Sequence, residues 1–405
     1  MNLLRAPLLA SAAGRPPLWL IFTFVICGTL SLHIFVPALP AAARDLGVSS
    51  ATIQWTLTVY VLGLAVGQLI YGPISDRFGR RPVLMAGLVL YALGSTIAGL
   101  APGALTLIAA RVVQALGGCS GLVLGRAVIR DVSAPREAAA RLAWLNMFMS
   151  MAPAMASIAG GLLAAYVSWR AIFALLAAIG VLTLLAAIAT LPETNPAVGR
   201  STGAGLLRVN LRLLGMPAFR VYALAGACAT TSFYAFLAAA PFIFTDMLHR
   251  DQAEIGFYFM PPMLGYSLGS LLANRLVGRL GLDRLLHIGF SIATLGAALF
   301  FLVVATGHLS VVAVMASMLL FTAGGGIASP LALSGAIGVL PGAIGAASGL
   351  YGFCQMGFGA FCTFAVGLFG ANPAITAASV MLAAALVSQV VFTLWRPMRH
   401  DGDAA

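Results

Sequence analysis

Charge is the scarcest property of this sequence. Only 8% of its 405 residues are charged, whereas 61% are hydrophobic and the mean hydropathy is +1.02. So few charged residues cannot cover the surface of a water-soluble globule. The composition therefore excludes a soluble protein and predicts one that lies in a lipid bilayer.

Lysine is absent, so all 22 basic residues are arginines, and the formal net charge is +11. Such an excess is typical of nucleic-acid binding only when the basic residues share one face with aromatic residues nearby. Here the arginines lie mostly in polar stretches between apolar runs. We interpret the charge as a signal of membrane topology and expect no nucleic-acid partner.

Other chemical signatures are also missing. The five cysteines lie inside apolar runs at irregular spacing, unlike a disulfide framework or a zinc site. The sequence has no nucleotide-binding loop, no HExxH motif, no paired intramembrane acids and no Ser/His/Asp arrangement. We therefore expect a protein that is not an enzyme and that uses no metal and no cofactor.

Apolar runs long enough to cross a bilayer recur along the chain. A helical span needs roughly 20 residues. The predicted spans are 18–39, 52–73, 82–101, 104–128, 138–165, 171–191, 217–242, 254–277, 284–306, 309–335, 343–369 and 373–395. The sequence thus predicts an all-α polytopic membrane protein with twelve transmembrane helices.

The arginines set the expected orientation. Most of those outside the spans fall on one side of the membrane, and only Arg44, Arg170 and Arg250 fall on the other. Because arginine-rich connections stay in the cytoplasm, both termini are expected there. The longest polar connection then divides the chain into a six-helix bundle at 1–194, a cytoplasmic linker at 195–216 and a second six-helix bundle at 217–405.

The two halves resemble each other in sequence. Aligning them places Gly265 on Gly67 and Asn274 on Asp76, at the same point between the second and third spans of each half. A parallel repeat of this kind implies a pseudo-twofold axis along the membrane normal, with substrate held near the midplane between the bundles.

The turn between spans 2 and 3 concentrates charge in a chain that has little. It carries Asp76, Arg77, Arg80 and Arg81. Such a group can hold a neighbouring helix end by charge and dipole and release it when the helices move. Topological anchoring is the alternative, although it explains Asp76 poorly because acids contribute little to orientation.

Two ionisable residues, His33 and Arg111, lie deep within predicted spans, about two turns from their outer ends and at similar depth. A charge at mid-bilayer costs at least about 2.5–3.5 kcal/mol, so such residues tend to be functional. His33 is a candidate proton carrier because histidine titrates near neutral pH; the alternative is a histidine bonded to a helix carbonyl or to Gln54. Arg111 is a candidate for binding substrate or tuning His33, and its alternative role is to tie span 4 to carbonyls of a neighbouring span.

Further candidates for a substrate cavity combine soft apolar surface with a few hydrogen-bonding groups. For each of them taken alone, ordinary helix packing is the favoured explanation. They are Gln54, Gln114, Asn146, Met147, Met151, Tyr234, Phe236, Gln355 and Met356.

The segment from Gly67 to Arg81 resembles the signature loop of the major facilitator superfamily, G-x-L-x-D-R-x-G-R-[RK], which includes Gly67 and Gly79. Residues 107–117, LIAARVVQALG, resemble the span 4 motif of its proton-coupled members. With 37–40, PALP, and 191–194, LPET, the pattern is similar to the twelve-span drug:proton antiporters of the bicyclomycin-resistance and chloramphenicol-efflux type. The chain departs from that pattern at His33, where the family usually has an acid, and in span 5, where 156–161 lacks the usual proline before the paired glycines.

The resemblance implies proton-coupled efflux of small amphiphilic compounds across the cytoplasmic membrane, driven by the proton gradient, by a monomer that alternates its access. It also implies that the loop acts as a conformational latch. Proton-linked or facilitated uptake of a small metabolite is the alternative, because the same fold supports both. A membrane sensor or intramembrane enzyme is disfavoured, since no soluble signalling domain or catalytic motif is found.

Overall fold

A computed structural model describes residues 16–195, 203–340, 342–368 and 372–395. A long helix forms at each predicted span, and these helices are numbered α1 to α12 accordingly. They are α1 Leu18–Phe35, α2 Ser50–Phe78, α3 Arg80–Gly99, α4 Ala104–Val132, α5 Pro135–Tyr166, α6 Trp169–Thr190, α7 Pro217–Thr231, α8 Met260–Leu280, α9 Leu282–Ala305, α10 Val311–Gly338, α11 Ile344–Leu368 and α12 Pro373–Leu394.

Two spans are extended by further helical segments. After α1, a 3-10 turn at Val36–Ala38 leads into a short helix at Leu39–Asp45, and after α7 the chain continues through Phe233–Phe242 and a π turn at Ile243–Met247. Short helical segments also form at Gln252–Ile255, Phe257–Phe259 and, in the linker, Gly203–Gly215. The described residues contain no strand, which confirms the all-α fold class.

Eleven of the segments are long and apolar enough to cross a membrane by themselves, counted over the described ranges. The exception is α8, whose polar Asn274, Arg275 and Arg279 lower its hydropathy. It still packs closely on α10, since a Cβ atom at Gly265 would lie 2.4 Å from the carbonyl oxygen of Leu319. This helix depends on its neighbours rather than on lipid alone.

The halves repeat the same glycine contacts. A Cβ atom at Gly117 on α4 would lie 2.6 Å from the carbonyl oxygen of Gly87 on α3, and one at Gly324 on α10 would lie 2.5 Å from that of Gly289 on α9. Backbones approach this closely only where side chains are absent, as is common between helices in membranes. The matching pairs confirm two pseudo-symmetric bundles.

The pairs also correct the predicted register of the repeat. Gly79 follows α2 as Gly281 follows α8, so Asp76 corresponds to Gly278. The predicted matches of Gly265 with Gly67 and of Asn274 with Asp76 are wrong by one helical turn, because a helix that slips by a turn keeps the same face and a similar residue pattern.

A second matching pair fixes the register. A Cβ atom at Gly94 would lie 2.5 Å from the backbone nitrogen of Gln114, and one at Gly296 would lie 2.4 Å from that of Phe321. Gln114 and Phe321 therefore hold equivalent positions. Since α4 and α10 run on in register, Arg111 corresponds to Met318, and both are fully buried.

The division into residues 1–194, 195–216 and 217–405 stays a prediction. Residues 1–15, 196–202 and 396–405, and with them Arg5, Arg15, Arg200, Arg396 and Arg399, lie outside the described residues.

Candidate functional site

Arg111 lies at the centre of the first bundle with no exposed surface. Its Nη1 donates to the carbonyl oxygen of Ser31 on α1 at 3.1 Å and to Oε1 of Gln114 at 2.6 Å, while Nε lies 3.5 Å from the carbonyl oxygen of Thr56 on α2. Its guanidinium carbon lies 3.9 Å from the centre of the Tyr60 ring. The arginine ties α4 to α1 and α2.

The charge of Arg111 is not neutralised by a carboxylate. Within the described part of the chain its neighbours are dipoles and rings, including Phe35 at 5.3 Å and Phe173 at 5.8 Å from the guanidinium carbon. Its Nη2 atom is buried without a hydrogen-bond partner. A buried cation held in this way is poised to attract an anionic or dipolar group.

His33 is buried on α1, and its Nδ1 lies 2.9 Å from the carbonyl oxygen of Thr29 one turn earlier. Ser31 and Phe35, which contact Arg111, lie two residues to either side of His33. Two residues of α-helix rotate a side chain by about 200°. The structure therefore does not bring His33 and Arg111 together, but places them on opposite faces of α1.

The two glutamines predicted for the cavity have different surroundings. Gln114 is fully buried, and its amide nitrogen donates to Oγ of Ser95 on α3 at 2.8 Å, so it belongs to the surroundings of Arg111. Gln54 on α2 donates from Nε2 to the carbonyl oxygen of Ala238 at 3.3 Å. Gln54 therefore joins the two halves.

Two further contacts join the halves at the end of the molecule where Gln54 lies. We call this the opposite end, because it is opposite to the end that carries the α2–α3 turn. The amide nitrogen of Gln252 donates to the carbonyl oxygen of Pro37. A Cβ atom at Gly256 would lie 2.4 Å from the carbonyl oxygen of Ser157 on α5. These contacts hold the halves together at the opposite end.

A cavity of ≈ 340 Å³ lies at the other end, which carries the α2–α3 turn and is called here the arginine-rich end. It is formed by α2, α4 and α11 with contributions from α5 and the linker helix. Its polar walls include Gln68, Asp76, Arg80, Arg126 and Arg130. A volume of this order suits part of a drug-sized molecule.

The predicted latch residues form a network around Arg80. Its guanidinium donates to Oδ1 of Asp76 at 2.6 Å, to Oδ2 of Asp131 at 3.1 Å and to Oγ of Ser75 at 2.5 Å. Asp131 is at the end of α4, so the turn between α2 and α3 is joined to a third helix. Asp76 also lines the cavity opposite Gly345, in the first turn of α11.

Glu193, which follows α6, caps the start of α3. Its carboxylate accepts the backbone N–H groups of Arg80 at 2.9 Å and Arg81 at 3.1 Å. Gly79 has a φ of 100°, and a Cβ atom there would lie 2.4 Å from Oε2 of Glu193. Asn195 donates to the last carbonyl groups of α2. The ends of α2, α3 and α6 are thus fastened together.

The remaining latch residues do not join the Arg80 network in the described structure. Arg81 donates from Nη2 to the carbonyl oxygen of Ile188 on α6 at 3.1 Å, and the Arg77 guanidinium carbon lies 5.2 Å from the centre of the Phe78 ring. A Cβ atom at Gly67 would lie 2.6 Å from Sγ of Cys119 on α4. Gly67 serves packing between α2 and α4.

The candidates on α5 lie on an exposed face. Met147 and Met151 are 44% and 55% exposed, and Asn146 is exposed as well. The residue that α5 contributes to the cavity wall is Leu142.

The candidates in the second bundle divide into two environments. The Tyr234 hydroxyl lies 3.7 Å from Sδ of Met356, and Nε2 of Gln355 donates to Oγ1 of Thr230 at 3.0 Å. These residues are half-buried and join α11 to the α7 region. Phe236 is fully buried and packs against other phenylalanine rings, so it belongs to the core.

Sequence reasoning missed several residues of this site. Glu193 stood in the LPET segment without an assigned role, and its cap became visible only from the fold. Arg126 was not among the predicted site residues because it falls near the end of predicted span 104–128, where a basic residue serves topology, although it lies on α4 and lines the cavity. Tyr60 was missed because nothing local marks one tyrosine in an apolar helix as the partner of a distant arginine.

Comparison with known proteins identifies the lineage. The family model described as Major Facilitator Superfamily matches residues 19–363. An uncharacterized MFS-type transporter of Bacillus subtilis is 30% identical and covers 95% of this chain and 97% of its own length. A chloramphenicol resistance protein of Pseudomonas aeruginosa is 30% identical over 92% of this chain and 90% of its own length.

A multidrug resistance protein D of Escherichia coli is 28% identical over 95% of this chain and 97% of its own length. Among solved structures, a D-xylose-proton symporter superposes with a TM-score of 0.73 at 15% identity, covering 92% of this chain and 96% of its own. These relatives confirm the resemblance to the resistance-type transporters. The protein is a multi-pass membrane transporter rather than an enzyme, and it belongs to the major facilitator superfamily.

Proposed function

We propose that this transporter exports small amphiphilic compounds in exchange for protons, by alternating access between its two bundles. The observation that carries the proposal is the unequal closure of the halves. They touch at the opposite end through Gln54, Gln252 and Gly256. Helix α2 packs on α11 as far as Gln68 and Gly352, while a cavity lies at the arginine-rich end. This arrangement supports a carrier whose site is accessible from one side at a time.

The arginine-rich end is taken as cytoplasmic, because positively charged connections are retained on that side. Both termini are then cytoplasmic, and the chain works as a monomer in the inner membrane of a bacterium. The cavity in this state receives compounds from the cytoplasm. Relatives named for resistance to chloramphenicol and for multidrug resistance support the outward direction.

Coupling is assigned to the first bundle. His33 is the candidate proton carrier, since the described residues contain no carboxylate midway along a transmembrane helix. Arg111, with its unpartnered Nη2, is the candidate responder to changes of charge or hydrogen bonding nearby. The network of Arg80, Asp76 and Asp131 is the candidate latch between the accessible states.

Proton-linked uptake of a metabolite is the second candidate. The likeness to the D-xylose-proton symporter and to a nucleoside transporter, with a TM-score of 0.71 for the latter, shows the fold alone at 15% identity each, and the same fold can serve uptake. Direction of accumulation separates the two functions.

The test uses everted membrane vesicles from an efflux-deficient host expressing the chain, with labelled chloramphenicol as probe. Export predicts accumulation inside the vesicles when the interior is acidified, and loss of accumulation in His33→Ala. Drug susceptibility of the same host gives an independent reading. Accumulation only in right-side-out vesicles would favour uptake, and unchanged proton-driven exchange in His33→Ala would remove His33 from the mechanism.

A further inference from the structure

We propose that the cavity at the arginine-rich end is an anion site, and that Arg126 selects amphiphilic carboxylates and related organic anions as substrates. The inference rests on the proposed function in taking this cavity as the entrance for transported compounds. It adds a substrate class that the resistance-type relatives do not specify.

The cavity wall is dominated by positive charge. Arg80, Arg126 and Arg130 line it, and the single carboxylate among the described lining residues is Asp76. That carboxylate is already bonded to Arg80 at 2.6 Å, and Arg80 is also held by Asp131. Arg80 is therefore shared by two carboxylates, and Asp131 also interacts with Arg130. Arg126, by contrast, has no carboxylate partner within the described residues.

Arg126 and Arg130 lie one turn apart on α4, so their side chains share a face. Like charges at this spacing destabilise a helix. In the described structure the Arg126 guanidinium lies 3.8 Å from Sδ of Met149, and neither arginine forms an ion pair there. An anion placed between them removes this repulsion and gains charge-assisted hydrogen bonds.

The facing wall favours the same sign of ligand. The first two turns of α11 contribute Gly345, Ala346, Ser348 and Gly349 to the cavity, and Gly345 and Ala346 lie in the first turn. The N–H groups of a helix's first turn lack intrahelical partners, and the helix dipole is positive at that end. The small side chains there leave the backbone open to a ligand.

Apolar surface completes the recognition. Leu69, Leu122, Leu142 and Leu350 lie in the same cavity. An amphiphile with an acidic head and an apolar body matches this combination, whereas a lipophilic cation meets repulsion from Arg126 and Arg130. The arginines of the wall select a ligand with a negatively charged head, and the leucines select one with an apolar body.

The test measures binding of 4-phenylbutyrate and of its neutral analogue 4-phenylbutyramide to the purified full chain in dodecyl maltoside, by isothermal titration calorimetry at neutral pH. We expect the acid to bind more tightly than the amide and its affinity to fall with rising salt. Arg126→Gln should weaken binding of the acid by roughly tenfold or more, because one charge-assisted hydrogen bond is lost. Arg126→Lys should retain most of the affinity.

Arg220→Gln is the matched control, because Arg220 is an exposed arginine near the start of α7 outside the cavity wall. It should leave binding unchanged. Equal affinity for acid and amide, or equal loss in Arg126→Gln and Arg220→Gln, overturns the proposal. So does an Arg126-dependent response to added phosphatidylglycerol without binding of 4-phenylbutyrate, since the site would then serve a lipid headgroup. None of these outcomes affects chloramphenicol export, whose failure alone counts against the proposed function.

Discussion

The two bundles share their packing but differ at their centres. Gly87 meets Gly117 in the first bundle as Gly289 meets Gly324 in the second. At the middle of the same helices, however, the first bundle holds Arg111 and Gln114 in a hydrogen-bonded group, whereas the second holds Met318 and Phe321.

This difference separates the requirements of fold from those of function. Small residues that let backbones meet are needed twice, because each bundle must form in lipid without a hydrophobic driving force between its helices. A buried arginine contributes little to stability for its cost, so its presence in one half alone points to a task carried out there. The predictions that follow test this asymmetry.

The largest effect is expected from giving the first bundle the apolar residue that the second bundle has at the position of Arg111. Arg111→Met replaces a buried cation by a side chain that the equivalent position already accommodates. We expect the protein to fold and chloramphenicol accumulation in everted vesicles to fall to background. Met318→Leu, the matched control, conserves volume and should cost less than about 1.5 kcal/mol with transport retained. Full-rate transport in Arg111→Met would reduce the arginine to a structural tie.

Because the glycine contacts are alike in the two bundles, matching substitutions should destabilise both bundles to a similar degree. In Gly117→Ala and Gly324→Ala the added methyl groups would lie 2.3 Å from the backbone nitrogens of Tyr91 and Ala293, respectively. Each change should destabilise its bundle by roughly 1–3 kcal/mol, seen as a lower thermal unfolding temperature in detergent. Gly278→Ala is the control, because nothing lies within 4 Å of its Cβ position. Destabilisation in only one of the two variants would show that the matching contacts do not contribute equally to the stability of the two bundles.

A smaller difference between the bundles is expected at the turn after the second helix of each, α2–α3 and α8–α9. Asp76→Asn removes a carboxylate that bonds Arg80. The equivalent position in the second bundle is Gly278, which has no side chain, because Gly79 and Gly281 end the matching helices α2 and α8. If the latch contributes about 1.4 kcal/mol to one conformation, the balance of conformations should shift roughly tenfold and transport should slow. Folding should change little, since Asp76 is 41% exposed and such ion pairs are weak. Gly278→Ala at the equivalent position should transport normally; an equal loss in both variants would contradict a one-sided latch.

The smallest effect concerns the start of α3. Glu193→Ala leaves the N–H groups of Arg80 and Arg81 without their acceptor and should cost about 1 kcal/mol of stability. The equivalent helix α9 begins after Gly281, as α3 begins after Gly79, and the helix N–H groups that bond Glu193 in the described structure belong to α3. Hydrogen exchange of the first turn of α3 should rise in Glu193→Ala and stay constant for α9. Unchanged protection of α3 would show that water replaces the cap.

The fold was predictable from the sequence because lipid leaves few choices. Runs of apolar residues gave every helix, and even α8, which falls short of the apolar threshold, was placed correctly by its neighbours and the repeat. The latch residues were found because charge is conspicuous in an apolar chain. Their network with Glu193 and Asp131 could not be foreseen, since it depends on which helix ends meet.

The interior was harder to predict. Depth along a helix indicated that His33 and Arg111 lie at one level, but helical rotation separates them across α1. Gln114 and Phe236 have suitable chemistry for a cavity and are instead fully buried. Whether a side chain points into a cavity or into the core depends on how several helices pack together, and a single sequence does not specify this.

The account rests on alternation between the bundles, and distances between spin labels test it most directly. One pair is placed at the arginine-rich end by Ala139→Cys and Gly278→Cys, and another at the opposite end by Tyr166→Cys and Asp251→Cys, in a chain whose native cysteines are replaced. Adding chloramphenicol or changing pH should shorten the first distance and lengthen the second. Two distances that stay fixed, or that change in the same direction, while the labelled proteins still transport would contradict the account.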